Sequence, residues 1–115
     1  MKKQASLLAI LLVFVMPALA DHGGLPAPDQ PLLIDVRTQD EYRREHVRTA
    51  VNIPYDEIAG RIAAMAPDRN TRIALYCRSG RRSGIAEQTL RQLGYSQVEN
   101  KGSLDDMLRG GHQTE

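Results

Sequence analysis

Cysteine is almost missing from this chain of 115 residues; the single one is Cys77. A lone cysteine makes no internal disulfide, no dithiol redox pair and no thiolate cluster for zinc. There is no tryptophan, and the one phenylalanine, Phe14, lies close to the N-terminus. Beyond residue 20 the aromatics are Tyr42, Tyr55, Tyr76 and Tyr95. The core must therefore be modest and built mainly from Leu, Ile, Val and Ala. An excess of either charge is also lacking, with 15 Lys+Arg against 14 Asp+Glu. That balance provides no global basic field, so nucleic acid is not an expected partner. His22, His46 and His112 are scattered rather than spaced as metal ligands, and no metal is expected. No internal repeat or low-complexity block is present.

The longest apolar stretch, Ala5 to Met16, is shorter than the roughly 20 residues that a spanning helix needs. Lys2 and Lys3 precede it, Pro17 follows, and Ala18-Leu19-Ala20 forms a small-x-small cleavage site before Asp21. Residues 1–20 read as a secretory signal peptide cut after Ala20. In a bacterium the product is periplasmic, with no membrane attachment after cleavage. Removing this segment takes away Lys2 and Lys3 and turns a formal net charge of +1 into about −1.

What remains is enough for one small domain. Residues 21–31, rich in proline and glycine, form an extended lead-in. The domain is expected over residues 32–108, and the polar residues 109–115 form a flexible tail. Leu32 to Val36 reads as a buried strand. Thr38 and Glu41 make a capping-box pair that opens a short helix to about Glu45. Val51 to Ile53 is a second strand, stopped by Pro54. Ile58, Ile62 and Met65 mark an amphipathic helix that ends before Pro67. Arg72 to Tyr76 is the third strand. Ile85, Ala86, Thr89, Leu90 and Leu93 line one face of a helix that stops at Gly94. Ser96 to Glu99 is the last strand, and Ser103 to Leu108 a final helical turn. Strands alternating with helices indicate an α/β fold with a small parallel sheet and helices on both faces.

The chemistry concentrates where the third strand meets its helix, at Cys77-Arg78-Ser79-Gly80-Arg81-Arg82-Ser83. A strand-to-helix turn aims successive N–H groups at one point, and the helix dipole adds positive potential there. A thiol at that point is pushed toward thiolate, the nucleophilic form. The common alternative is a small buried apolar cysteine. Three arginines within five residues argue against burial of the loop. A basic loop on a nearly neutral domain suits a small anionic substrate better than a polyanion.

Leu33-Ile34-Asp35-Val36-Arg37, Glu41-Tyr42, His46-Val47, Ala50, Asn52-Ile53-Pro54 and the Cys77 loop together resemble the rhodanese family. The similarity extends from about residue 32 to residue 104, closing with Val98-Glu99-Asn100 and Gly102. The resemblance implies a sulfurtransferase without a cofactor. In that chemistry Cys77 takes the outer sulfur of thiosulfate as a persulfide and passes it to cyanide or a thiol. Arg78, Arg81 and Arg82 would offset repulsion between thiolate and anionic donor, an effect of several kcal/mol where water is excluded. The N–H groups from Ser79 to Ser83 would hold the outer sulfur, and Gly80 lets the loop curl. Arg82 is expected to face the sulfur. Asp35 and Arg37 resemble the family's buried ion pair, and His46 a residue that orders a loop. Thr49, Ser103 and Met107 depart from the family pattern without touching the nucleophile.

Phosphatases and arsenate reductases on the same fold are a different class. Their loop places arginine where this chain has Ser83, and the tighter ring here better fits a single sulfur atom. A domain that only stores sulfur or binds a partner is a third reading. Steady turnover would separate it from an enzyme. Nothing in the sequence demands an oligomer, and a monomer is expected.

Overall fold

The computed structural model describes residues 29–115, so the leader and most of the lead-in lie outside the described residues. Four strands and four helices alternate: β1 Leu32–Asp35, α1 Gln39–Arg44, β2 Val51–Asn52, α2 Ile58–Met65, β3 Ile73–Cys77, α3 Arg81–Gln92, β4 Val98–Ser103 and α4 Leu104–Arg109. All strand pairs are parallel, in the order β2-β1-β3-β4. The expected α/β class with a small parallel sheet is what forms.

Alternation along the central strands decides what each face buries. Ile34, Val36, Ile73, Leu75 and Cys77 join Ile58 and Ile62 of α2 and Ala86 and Leu90 of α3 in one core. Leu33, Ala74 and Tyr76 point the other way and pack with Val47, Ala50 and Met107, with Tyr42 of α1 and Leu104 of α4 beside them. Ile58 and Ile62 of α2 and Ala86 and Leu90 of α3 thus cover one face, whereas Met65, Ile85 and Leu93, which the helical spacing also assigned to those apolar faces, point to solvent at 43%, 38% and 38% exposure. The short α1 and α4 serve the other. Tyr76 and Tyr95 are fully buried, so the core draws on two tyrosines as well as on aliphatics.

Local signals account for the helix ends. Thr38 and Glu41 form the reciprocal capping box that their spacing predicts. Ser103 and Asp106 form a second one at the start of α4. Ser103, a departure from the family pattern, therefore has a local use as a cap, and Met107 fills the second core at 3% exposure.

The segment expected to be a flexible tail is tied down. Val47 and Thr114 form an antiparallel bridge. The Glu115 N–H donates to the His46 carbonyl at 2.8 Å, and the Arg48 N–H to that of Gln113. Polar composition suggested fraying, but the free backbone edge after His46 offers the tail hydrogen-bond partners.

Strand order places the site. The chain runs from β1 out to β2 on one side and then crosses back through α2 to β3 on the other side of β1, so the carboxyl ends of β1 and β3 lie at a topological switch point. Crevices in open α/β sheets form there. β1 ends at Asp35 and β3 at Cys77.

Candidate functional site

The loop after β3 folds back over the end of its own strand. Gly80, at φ 93°, takes the left-handed conformation that glycine enters without a Cβ penalty, and α3 begins at the next residue. This turn brings the Gly80 N–H to 2.9 Å from the Cys77 Sγ. The Ser83 hydroxyl lies 3.4 Å from the same sulfur. Twelve residues of helix α3 stand behind the loop with their positive dipole end toward it.

Burial by itself raises the pKa of the Cys77 thiol. The Ser83 hydroxyl and the N–H groups of Ser83, Ser79 and Gly80 outweigh it and leave the thiol below its ordinary value. Ser79, Gly80 and Ser83 are thus the residues that gather around the sulfur.

One expectation is corrected. Arg78, Ser79 and Arg81 are exposed, as a basic loop should be, yet Cys77 beneath them has no accessible surface. Its side chain points onto the α2/α3 face of the sheet, under the first turn of α3. The loop is exposed and the thiol is roofed by it.

The three arginines separate. Arg82 makes a two-pronged ion pair with Glu41 of α1, at 2.7 and 3.0 Å. It therefore does not reach over the loop as an uncommitted cation. A carboxylate fixed by the α1 cap at bonding distance holds it to the side. The pairing lowers the Glu41 pKa to about 2. Arg81 is exposed at the start of α3. Arg78 lines an open cleft of about 310 Å³ together with Arg37, Glu41, Arg44, Glu45, Leu104 and Asp105. Every one of these follows the carboxyl end of a strand. Among the described residues, neither Arg78 nor Arg44 forms an ion pair.

Behind the cleft lies a buried polar knot. Asp35, fully buried, accepts from the Arg37 backbone N–H, its Nε and its Nη2, the last at 2.6 Å. The Tyr76 hydroxyl donates to Asp35 Oδ2 at 2.7 Å and accepts from the Val47 N–H at 3.0 Å. Arg37 Nη2 also donates to the Glu45 carbonyl. The pair links β1, β3 and the loop after α1. His46 stands apart from the sulfur. Its ring stacks on Tyr42 with centroids 3.6 Å apart, Nδ1 is 2.6 Å from the Tyr42 carbonyl oxygen, and Nε2 is 3.7 Å from a Glu115 carboxylate oxygen.

Four participants escaped the sequence reading: Glu41 as the partner of Arg82, Tyr76 as the hub of the knot, Arg44 in the cleft, and Asn100 beside the cradle. The sequence shows Glu41 as a cap and as part of the family motif but not as an ion-pair partner, Tyr76 as one more residue of an apolar strand, Arg44 with no signal of its own, and Asn100 with none beyond its place in the closing motif. No group of three or more potential metal-ligating side chains occurs among the described residues.

A parallel sheet with a cysteine cradled by N–H groups at the end of a central strand defines a small class of proteins, and the comparisons agree. Residues 21–106 match the model of the rhodanese-like domain, and the chain belongs to that family. It is similar to the thiosulfate sulfurtransferase PspE of Escherichia coli strain K12, with 43% identity over 101 residues covering 88% of each chain. Among solved structures it is similar to a rhodanese with anions from E. coli, with a TM-score of 0.67 and 42% identity over 72% of this chain and 94% of that one. A thiosulfate sulfurtransferase from Pseudomonas aeruginosa gives a TM-score of 0.67 at 32% identity, over 71% of this chain and 16% of that one.

Proposed function

We propose that this rhodanese-like domain is a thiosulfate sulfurtransferase working through a persulfide on Cys77. The observation that carries the reading is the convergence of the Gly80 N–H, at 2.9 Å, and the Ser83 hydroxyl on Sγ. Donors aimed at sulfur favour the thiolate and hold a negative sulfur without reorganisation.

In the first step the Cys77 thiolate attacks the outer sulfur of thiosulfate. A new S–S bond forms, the S–S bond of thiosulfate breaks, and sulfite leaves with its electron pair. Because the thiol is roofed in the resting state, the N–H groups must release Sγ and take hold of the outer sulfur as it arrives. In the second step cyanide or a thiolate attacks that outer sulfur and the Cys77 thiolate is restored. No separate base is needed, since the nucleophile enters already ionised. Arg78 and Arg44 in the cleft receive the sulfonate end of the donor. Arg82 contributes a positive field from the side while bound to Glu41.

Ser83 disfavours the phosphatase and arsenate reductase readings. It occupies the position at which those loops carry arginine, and its hydroxyl oxygen lies within 3.4 Å of the sulfur. Steady-state assays with thiosulfate and cyanide, an aryl phosphate, and arsenate test the assignment. Sulfur-transfer turnover alone is expected. Phosphate-ester hydrolysis at a comparable rate, or no turnover of thiosulfate, would overturn it.

Export is part of the proposal. Residues 1–20 carry the leader pattern, and among the described residues no helix is long and apolar enough to cross a membrane. The mature protein then begins at Asp21 in the periplasm. N-terminal sequencing of periplasmic material should start there, and an intact Lys2-Lys3 end would contradict it.

A further inference from the structure

Asn100 lies on β4 opposite Leu75, next to an irregularity in the ladder. Leu75 pairs with Asn100, but Cys77 pairs with Ser103, so β4 carries one extra residue beside the end of β3. Gly102 sits in that bulge at φ 94°. A Cβ placed on Gly80 would lie 3.5 Å from the Gly102 Cα, so the sulfur loop rests directly on the bulge.

The Asn100 amide joins these pieces. Nδ2 donates to the Gly80 carbonyl at 3.0 Å. Oδ1 accepts from the Gly102 N–H at 2.9 Å and lies 2.7 Å from the Ser83 hydroxyl. A carbonyl oxygen has two lone pairs. Those of Gly80 are taken by Nδ2 and by the Gly84 N–H at 3.1 Å. The Ser83 hydroxyl is also 3.1 Å from the Gly80 oxygen, but as a third claimant. Its one hydrogen is therefore left to choose between Asn100 Oδ1 at 2.7 Å and Cys77 Sγ at 3.4 Å. When it turns to sulfur, Oδ1 keeps the Gly102 N–H and no acceptor is orphaned.

We propose that Asn100 is a positioning residue for sulfur transfer: its amide fixes the Gly80 carbonyl and competes with the cysteine for the Ser83 hydroxyl hydrogen. While Cys77 is a thiol the hydrogen rests on Asn100. When negative charge appears on sulfur, the hydroxyl swings over to meet it. Only a side chain that donates to Gly80 and accepts from Ser83 together does both. The inference rests on the sulfurtransferase reading for what the cysteine does, but thiol ionisation is measured without any sulfur donor.

The test is the pH dependence of Cys77 alkylation by iodoacetamide. Asn100→Asp keeps the shape and the acceptor, loses the donor to Gly80 and holds the Ser83 hydrogen more tightly. The alkylation midpoint should rise by about 1 pH unit, with the withheld hydrogen and the added negative charge acting in the same direction, and the double variant separates the two. Ser83→Ala should also raise it in the wild-type background. Adding Ser83→Ala to Asn100→Asp should add little, because the carboxylate already withholds that hydrogen. The other charged groups at this end of the sheet are untouched by these changes: Asp35, Arg37, Glu41, Arg78, Arg81, Arg82 and Asp106. An unmoved midpoint in folded Asn100→Asp, or shifts that simply add, would overturn the proposal. Should Asn100→Asp fail to fold, the wild-type protein decides. Its Asn100 side-chain NH2 resonances should titrate at the Cys77 midpoint, and resonances indifferent to Cys77 ionisation overturn the proposal. A wild-type protein that does not turn over thiosulfate, while the variants shift the alkylation midpoint as expected, would count against the assigned reaction and not against this proposal.

Discussion

Tyr76 offers the sharpest separation between what holds this fold together and what makes it react. Tyr76 and Cys77 are neighbours on β3, but strand alternation sends their side chains to opposite faces. Tyr76→Phe removes one hydroxyl and leaves the ring in place. The hydroxyl donates to a buried carboxylate oxygen of Asp35 at 2.7 Å, a charge-assisted bond of about 1.5–3 kcal/mol. It also satisfies the Val47 N–H at 3.0 Å, and leaving that buried donor unpaired costs about 1–3 kcal/mol. Asp35 keeps Arg37, so its charge stays paired and the total belongs in the lower part of that range, about 3 kcal/mol. That is a large share of the 5–15 kcal/mol typical of a small domain. With a urea m-value of about 1–2 kcal/mol/M, the unfolding midpoint should fall by about 1.5–3 M. The alkylation midpoint of Cys77 should stay where it is. A loss below about 0.5 kcal/mol would refute the energetic reasoning. A displaced Cys77 midpoint would refute the separation of the two faces.

Arg78 and Glu41 carry the remaining predictions. Arg78→Gly should lower kcat/KM for thiosulfate relative to mercaptopyruvate by about 10- to 100-fold, because thiosulfate presents a dianionic sulfonate end and mercaptopyruvate a single carboxylate. An unchanged ratio would move the anion site to Arg44 or Arg81. Glu41→Gln keeps the capping chemistry of α1 but loses the charge facing Arg82. It should cost about 0.5–1 kcal/mol at neutral pH. The native carboxyl sits at about 2 against an ordinary 4.5, so its contribution is complete above pH 4.5 and lost as the pH falls toward 2. Urea midpoints of the two proteins should therefore converge between those values, and a constant difference down to pH 2 would contradict the ion pair.

The order of strands and helices was legible because each element carries its own signal. The apolar run of β1, the Thr38–Glu41 cap, and the helical spacing of Ile58 and Ile62 are all local. The turn that cradles Cys77 was legible because a strand, a glycine and a helix start follow one another there. What stayed hidden depends on contacts distant in sequence. Arg82 meets Glu41 across 41 positions, and no local pattern says that a basic residue of the loop is already paired. The buried role of Tyr76 depends on which face it takes in the register. Asn100 reaches Gly80 only because a single-residue bulge in β4 brings Gly102 under the loop. The tail read as free because polar composition is silent about an open backbone edge at His46.

The central claim is that sulfur travels on Cys77, and the mass of the intact protein tests it most directly. Incubated with thiosulfate and freed of excess reagent, the wild-type chain should gain one sulfur atom, and cyanide should remove it as thiocyanate. Cys77→Ser should gain nothing, since a serine hydroxyl does not ionise near neutral pH in such a cradle. A wild-type chain that never gains sulfur, or a Cys77→Ser chain that does, would contradict the account.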